Sequence, residues 1–98
     1  MKKNFIIEIE ERAKIEISEA FDWYENQQSG LGVTFIEALQ SAFKTIQKSP
    51  NGYTKYRYHR QFPLSGFPYI ILYEIVKDTM YIDAVFHTSR NPMDKIRQ

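Results

Sequence analysis

Ninety-eight residues, 43% of them hydrophobic and 26% charged, make one folded domain with no room for a second core, and they exclude a disordered chain. The absence of cysteine removes disulfides, thiolate chemistry and cysteine metal sites, and is compatible with a reducing compartment. A net charge of +1 lies far from the strongly basic balance of nucleic-acid binders.

The N-terminus, Met1-Lys-Lys-Asn-Phe-Ile-Ile-Glu8, carries two lysines, but its apolar run stops at Glu8, so it does not read as a signal peptide. No stretch approaches the roughly 20 apolar residues that span a bilayer, and a soluble, cytoplasmic protein with no membrane partner is expected. Asn4–Ile9 is rich in β-branched residues and predicts a short strand. Glu10 and Glu11 then favour a helix start, where negative charge meets the positive end of the helix dipole. Ala13, Ile17, Ala20, Phe21 and Tyr24 fall on one face at helical spacing, and Ser29-Gly30 supplies a stop. A second helix has Phe35, Leu39, Ala42, Phe43 and Ile46 as its apolar stripe and ends at Ser49-Pro-Asn-Gly52. The short Gly30-Leu-Gly32 link predicts an antiparallel helical hairpin, which needs a sheet to cover.

Lys55–Phe62 predicts the second strand, Pro63–Gly66 a turn, residues 67–76 the third strand, and about 80–88 the fourth after the turn Lys77-Asp78-Thr79. The fold class is therefore α+β over residues 1–98: an N-terminal strand, a helical hairpin and a three-stranded antiparallel meander. Pairing Val76 with Thr79 sets Glu74 opposite Tyr81, Leu72 opposite Asp83, Ile70 opposite Val85 and Pro68 opposite His87. The other face then carries Tyr69, Ile71, Tyr73, Ile75, Ile82, Ala84 and Phe86, nearly free of charge, and should lie against the helices.

Charge is unevenly divided. Residues 1–49 hold six Lys and Arg against eight Asp and Glu, whereas residues 50–98 hold seven against four. The basic-aromatic run Lys55-Tyr-Arg-Tyr-His-Arg60, brought beside His87 and Arg90, would form a local cationic patch suited to an anionic or acidic partner. Arg57 and Arg60, three positions apart, cannot share a face on a regular strand; they pair with Asp83 or Glu74, or meet a partner's carboxylates. Arg90 follows the last strand, where the chain turns away before Pro92, and suits bidentate capture of a carboxylate or phosphate. His87 serves either as a general base beside an arginine or as a side chain bonding backbone at the strand end. Ile70, Leu72 and Val85 on the outer sheet face, with Ile15 opposite the first helix's core stripe, predict an apolar surface that a partner or a second copy covers. No phosphate loop, metal-ligand cluster or Ser/His/Asp arrangement is legible, so no cofactor and no metal are expected.

Trp23-Tyr-Glu25, Gly30-Leu-Gly32, Phe35 and Pro50, followed by Phe67-Pro-Tyr69, Tyr73 and His87-x-x-Arg90-x-Pro92, resemble the RelE/ParE superfamily of toxins from type II toxin–antitoxin systems, with the ParE-like branch fitting best. The resemblance spans nearly the whole chain. It implies a small toxin held by a cognate antitoxin in a hetero-oligomer. ParE-like members poison DNA gyrase without catalysis of their own; RelE-like members cleave mRNA on the ribosome. One fold serves both, so the site must decide. RNA cleavage would call on His87 with Arg57, Arg60 or Arg90. The low net charge, and a C-terminus that after Arg90 offers no Tyr or His, favour the gyrase reading. A degenerate binding module retaining only antitoxin contact is the third reading.

Overall fold

The computed structural model describes residues 5–89, the Tyr56 side chain excepted. Strand β1 (Ile6–Ile9) leads into helices α1 (Glu11–Gln27) and α2 (Leu31–Lys48) and a single 3₁₀ turn, Pro50–Gly52. Strands β2 (Lys55–Tyr56), β3 (His59–Pro63), β4 (Tyr69–Val76) and β5 (Thr79–His87) follow. The expected α+β order holds. The sheet, however, has five strands in the order β1-β5-β4-β3-β2, with β1 parallel to β5 and the other pairs antiparallel. The helical hairpin is the crossover that a parallel pair requires.

The stretch Lys55–Phe62 is not one strand. It folds back on itself at Arg57, whose φ of 57° is left-handed, so Lys55 pairs with Arg60 and Tyr56 with His59. No glycine or proline marks this reversal, and so pattern alone did not reveal it.

The helical link is held by one carboxylate. Gly30, at a left-handed φ of 91°, begins the turn, and Glu25 of α1 reaches across it. Its two oxygens accept from the Gly30 and Gly32 amides at 2.8 and 2.9 Å, filling two of the unpaired donors at the start of α2. Gly32 admits no side chain here, because a Cβ would lie 2.9 Å from the Phe21 ring and 2.8 Å from Glu25. The Glu25…Gly30-x-Gly32 pattern thus has a physical cause: close helix approach and a charged cap.

Between helices and sheet lies the main core, built on Ala13, Ala20, Phe35, Leu39, Ala42 and Ile46 against Ile71, Tyr73, Met80, Ile82 and Val85. Each large side chain buried there contributes about 1.5–3 kcal/mol. Tyr24, Phe35, Phe67 and Tyr69 stack edge-on at 4.9–6.2 Å between ring centres. The Tyr73 hydroxyl donates to the Pro50 carbonyl at 2.7 Å, tying β4 to the end of α2. Burial pushes this hydroxyl up to about 12, so it remains a donor.

The β4–β5 register departs from the expected one at a single point. Val76–Thr79 and Glu74–Tyr81 pair as anticipated, but Tyr73 faces Ile82 and Leu72 faces Ala84, leaving Asp83 as an extra residue in β5. Beyond this bulge each partner shifts by one: Ile70 faces Phe86 and Tyr69 faces His87. Side chains after the bulge therefore exchange faces. Tyr69, Ile71, Tyr73, Ile75 and Ile82 turn to the helices as expected, whereas Ala84 and Phe86 turn outward, and Val85, expected outside, enters the main core. Leu72, Ala84 and Phe86, with Ile70 against them, form a second small core on the outer face; Leu72 is 0% exposed. The bare apolar surface expected from Ile70, Leu72 and Val85 is thus closed within the chain.

Candidate functional site

β1 ends at Ile9, so the part of β5 beyond Ile82 has α1 for a neighbour on that side instead of a strand. The Val85 amide donates to Glu16 of α1 at 2.8 Å, and Arg12 donates to the Asp83 carbonyl at 3.5 Å. These contacts fix α1 over the bulged end of β5 and set the spacing of the cleft beside it.

That cleft, of about 450 Å³, is lined by Trp23, Tyr24, Pro68, Tyr69, His87 and Ser89. A smaller hollow of about 180 Å³, sharing Trp23, Tyr69 and His87 with it, extends to Glu16 and Glu19. Trp23 is 57% exposed and Ile15 51%. Ile15, Glu19 and Trp23 recur every four residues and so share one stripe of α1. Among the described residues an exposed apolar stripe thus lies on α1, where sequence reasoning had placed such a surface mainly on the sheet; Ile6, Val33, Tyr58 and Val76 are also exposed, on other elements.

His87, brought to the helix face by the bulge, packs edge-on to Tyr69 with ring centres 5.3 Å apart. Its Nδ1 accepts from the Ser89 amide at 3.1 Å and lies 2.9 Å from the Ser89 hydroxyl. Of the two roles considered for His87, bonding backbone at the strand end is the one observed. The arginines are elsewhere. Arg60 pairs with Tyr73, four residues along β4 from the partner of His87 and two strands across, roughly 13 and 10 Å by strand geometry. Its guanidinium donates to the Tyr53 carbonyl at 2.9 Å. Arg57 occupies the exposed β2–β3 turn. Neither stands beside His87, and Arg60 bonds backbone at Tyr53. Arg90 lies outside the described residues.

His59 meets Asp83 and Glu74. Although it stands in the basic-aromatic run, its side chain is only 18% exposed, with Nε2 2.8 Å from Asp83 Oδ2 and 3.7 Å from Glu74 Oε2. Burial, then a hydrogen bond and repulsion from Glu74, push the Asp83 carboxyl up to about 8; Glu10 adds to the rise and Arg12 opposes it. Among the described residues this trio is the one His-carboxylate cluster with metal-ligand spacing, where none was expected from sequence. Two signals pointed to it: His59 and Glu74 fall opposite each other when β3 is paired with β4, and Asp83 is a lone carboxylate inside an apolar strand.

Among the described residues no helix is long and apolar enough to cross a membrane. The family model described as "ParE toxin of type II toxin-antitoxin system, parDE" matches residues 7–92. Among curated proteins no sequence matches. A solved structure described as "Chromosomal ParDE TA system from P. aeruginosa" aligns with a TM-score of 0.75 at 12% identity, covering 85% of this chain and 95% of that one. At this identity the likeness is one of fold.

Proposed function

We propose that this chain, which belongs to the ParE toxin family of type II toxin–antitoxin systems, inhibits DNA gyrase by binding and is neutralised by a cognate antitoxin. The observation that carries the reading, beside the family match, is the separation of His87 from Arg57 and Arg60. Cleavage of RNA would need a proton acceptor and cations around one phosphate. Here the candidate acceptor nitrogen is taken by Ser89, and Arg60 is engaged with backbone at the other end of the sheet. A binding poison needs no such convergence.

The antitoxin contact is assigned to the Ile15–Trp23 stripe and the cleft between Trp23, Tyr69 and His87. An exposed tryptophan over an aromatic-lined cleft is the usual make-up of an interface anchor. Charge supports the assignment less, since Glu16 and Glu19 border the cleft.

Induction in a bacterial host, with plasmid supercoiling and mRNA 5′ ends followed on the same samples, tests the function. Gyrase inhibition predicts DNA damage and altered supercoiling with intact mRNA. Prompt ribosome-dependent cleavage would replace this reading with the RelE-like one, and unimpaired growth would leave a non-toxic binding module.

A further inference from the structure

The outer face of the sheet carries a feature that the proposed antitoxin contact at α1 does not use. His59 from β3, Glu74 from β4 and Asp83 from the β5 bulge converge there, each offering a donor atom, with all three atoms within 4.8 Å of one another. Three strands hold them, so the arrangement is a property of the sheet and not of one mobile loop. His59 Nε2 and Asp83 Oδ2 approach to 2.8 Å, yet Asp83 Oδ2 is buried and has no hydrogen-bond partner, and His59 Nδ1 is buried without one as well. Buried polar atoms in folded chains are nearly always satisfied, and an ion held by His59 Nε2 and the two carboxylates would satisfy Asp83 Oδ2, whereas Nδ1 lies on the other side of the ring and takes no part in such a site.

We propose that His59, Glu74 and Asp83 bind a divalent transition-metal ion, with Zn²⁺ the best-matched probe. One imidazole and two carboxylates are a donor set that Zn²⁺ accepts at about 2.0–2.2 Å, which places ligand atoms roughly 3–3.5 Å apart. The 2.8 and 3.7 Å separations bracket that spacing, so a shift of a few tenths of an ångström completes the site. Imidazole argues against Mg²⁺ and Ca²⁺, which prefer oxygen alone. Arg12, on the Asp83 carbonyl, already neutralises part of the local negative charge, and two carboxylates are what allow a cation to bind beside it. Glu74, the most exposed of the three, leaves solvent access and an open coordination position. A bound ion would tie β3, β4 and β5 together.

The test is independent of toxicity. Purified full-length chain, stripped with EDTA and dialysed, is titrated with ZnCl₂ by calorimetry and by thermal melting, and Co²⁺ absorption reports the ligand field. The expected result is one equivalent per chain and a rise in melting temperature reversed by EDTA. Affinity should fall at least tenfold in His59→Gln and in Glu74→Gln and be unchanged in His87→Gln. Glu74→Gln decides the matter if His59→Gln does not fold, because Glu74 is the residue least needed for packing. No uptake by the wild-type chain, or uptake insensitive to His59 and Glu74 and lost with His87, would overturn the proposal.

Discussion

The two histidines of this chain occupy opposite faces of one sheet, and their neighbours give them different work. His87 lies at the mouth of an aromatic cleft, one nitrogen taken by the Ser89 backbone and its ring against Tyr69. His59 is enclosed between two carboxylates on the far face. Sequence context set His87 on the outer face at a strand exit near an arginine, as a general base or a backbone-bonding side chain, and set His59 inside a charged run. The difference teaches that the face a side chain occupies, and what stands across the strand from it, outweighs what precedes and follows it in the chain. The His87 region is an open cleft beside an exposed tryptophan. The His59 region is a polar junction within the sheet.

The sharpest way to break this contrast is to remove each histidine and compare melting. His59→Ala leaves Asp83 and Glu74 facing each other without the imidazole between them, and a loss of about 2–3 kcal/mol is expected in chemical denaturation. If His59→Ala and His87→Ala unfold alike, the junction does not exist as described. The same trio sets a pH response. The folded chain holds a proton on Asp83 that the unfolded chain releases above about pH 4, so stability should fall as pH rises from about 4 through about 8 and then level off. Glu10, Arg12, Glu74 and His59 face that carboxyl, and Asp83→Asn should flatten the response, as read from melting curves across this range.

On the cleft side the expected change is in binding. Trp23→Ala should weaken antitoxin association by about 2 kcal/mol, roughly thirtyfold, in a titration, while leaving the melt of the free chain nearly unmoved. Smallest of all is His87→Gln, which loses a ring contact and a local hydrogen bond. A change below about 1 kcal/mol is expected, with toxicity retained in a growth assay. Abolished toxicity with an intact fold would place His87 in the target interface or in catalysis.

Most of the architecture was legible because its causes are local. Helical spacing of Phe35, Leu39, Ala42 and Ile46, the Gly30-Leu-Gly32 link and the β4–β5 turn each carry their own signal in the chain. Two features were not. The reversal at Arg57 uses a left-handed non-glycine residue, which composition does not announce. The bulge at Asp83 depends on a buried carboxyl finding Glu74 and His59 across two strands, a tertiary preference that overrides simple alternation. This one residue moved Val85 into the core and His87 to the helix side, and so altered the reading of the site more than any other error of register could.

The Glu16 carboxylate on the Val85 amide has a consequence for how the sheet can grow. Past Ile82, β5 would otherwise offer a row of unpaired backbone groups, the usual template for strand addition by another chain. With α1 standing in as a surrogate strand, that row is closed, and an incoming segment must first displace Glu16. Among the described residues the two outermost strands are short, four residues of β1 on one flank and two of β2 on the other. A partner that joins this sheet by its backbone is therefore limited to a few ladder bonds. Lasting attachment has to come from side chains, and the stripe of α1 is where they are offered.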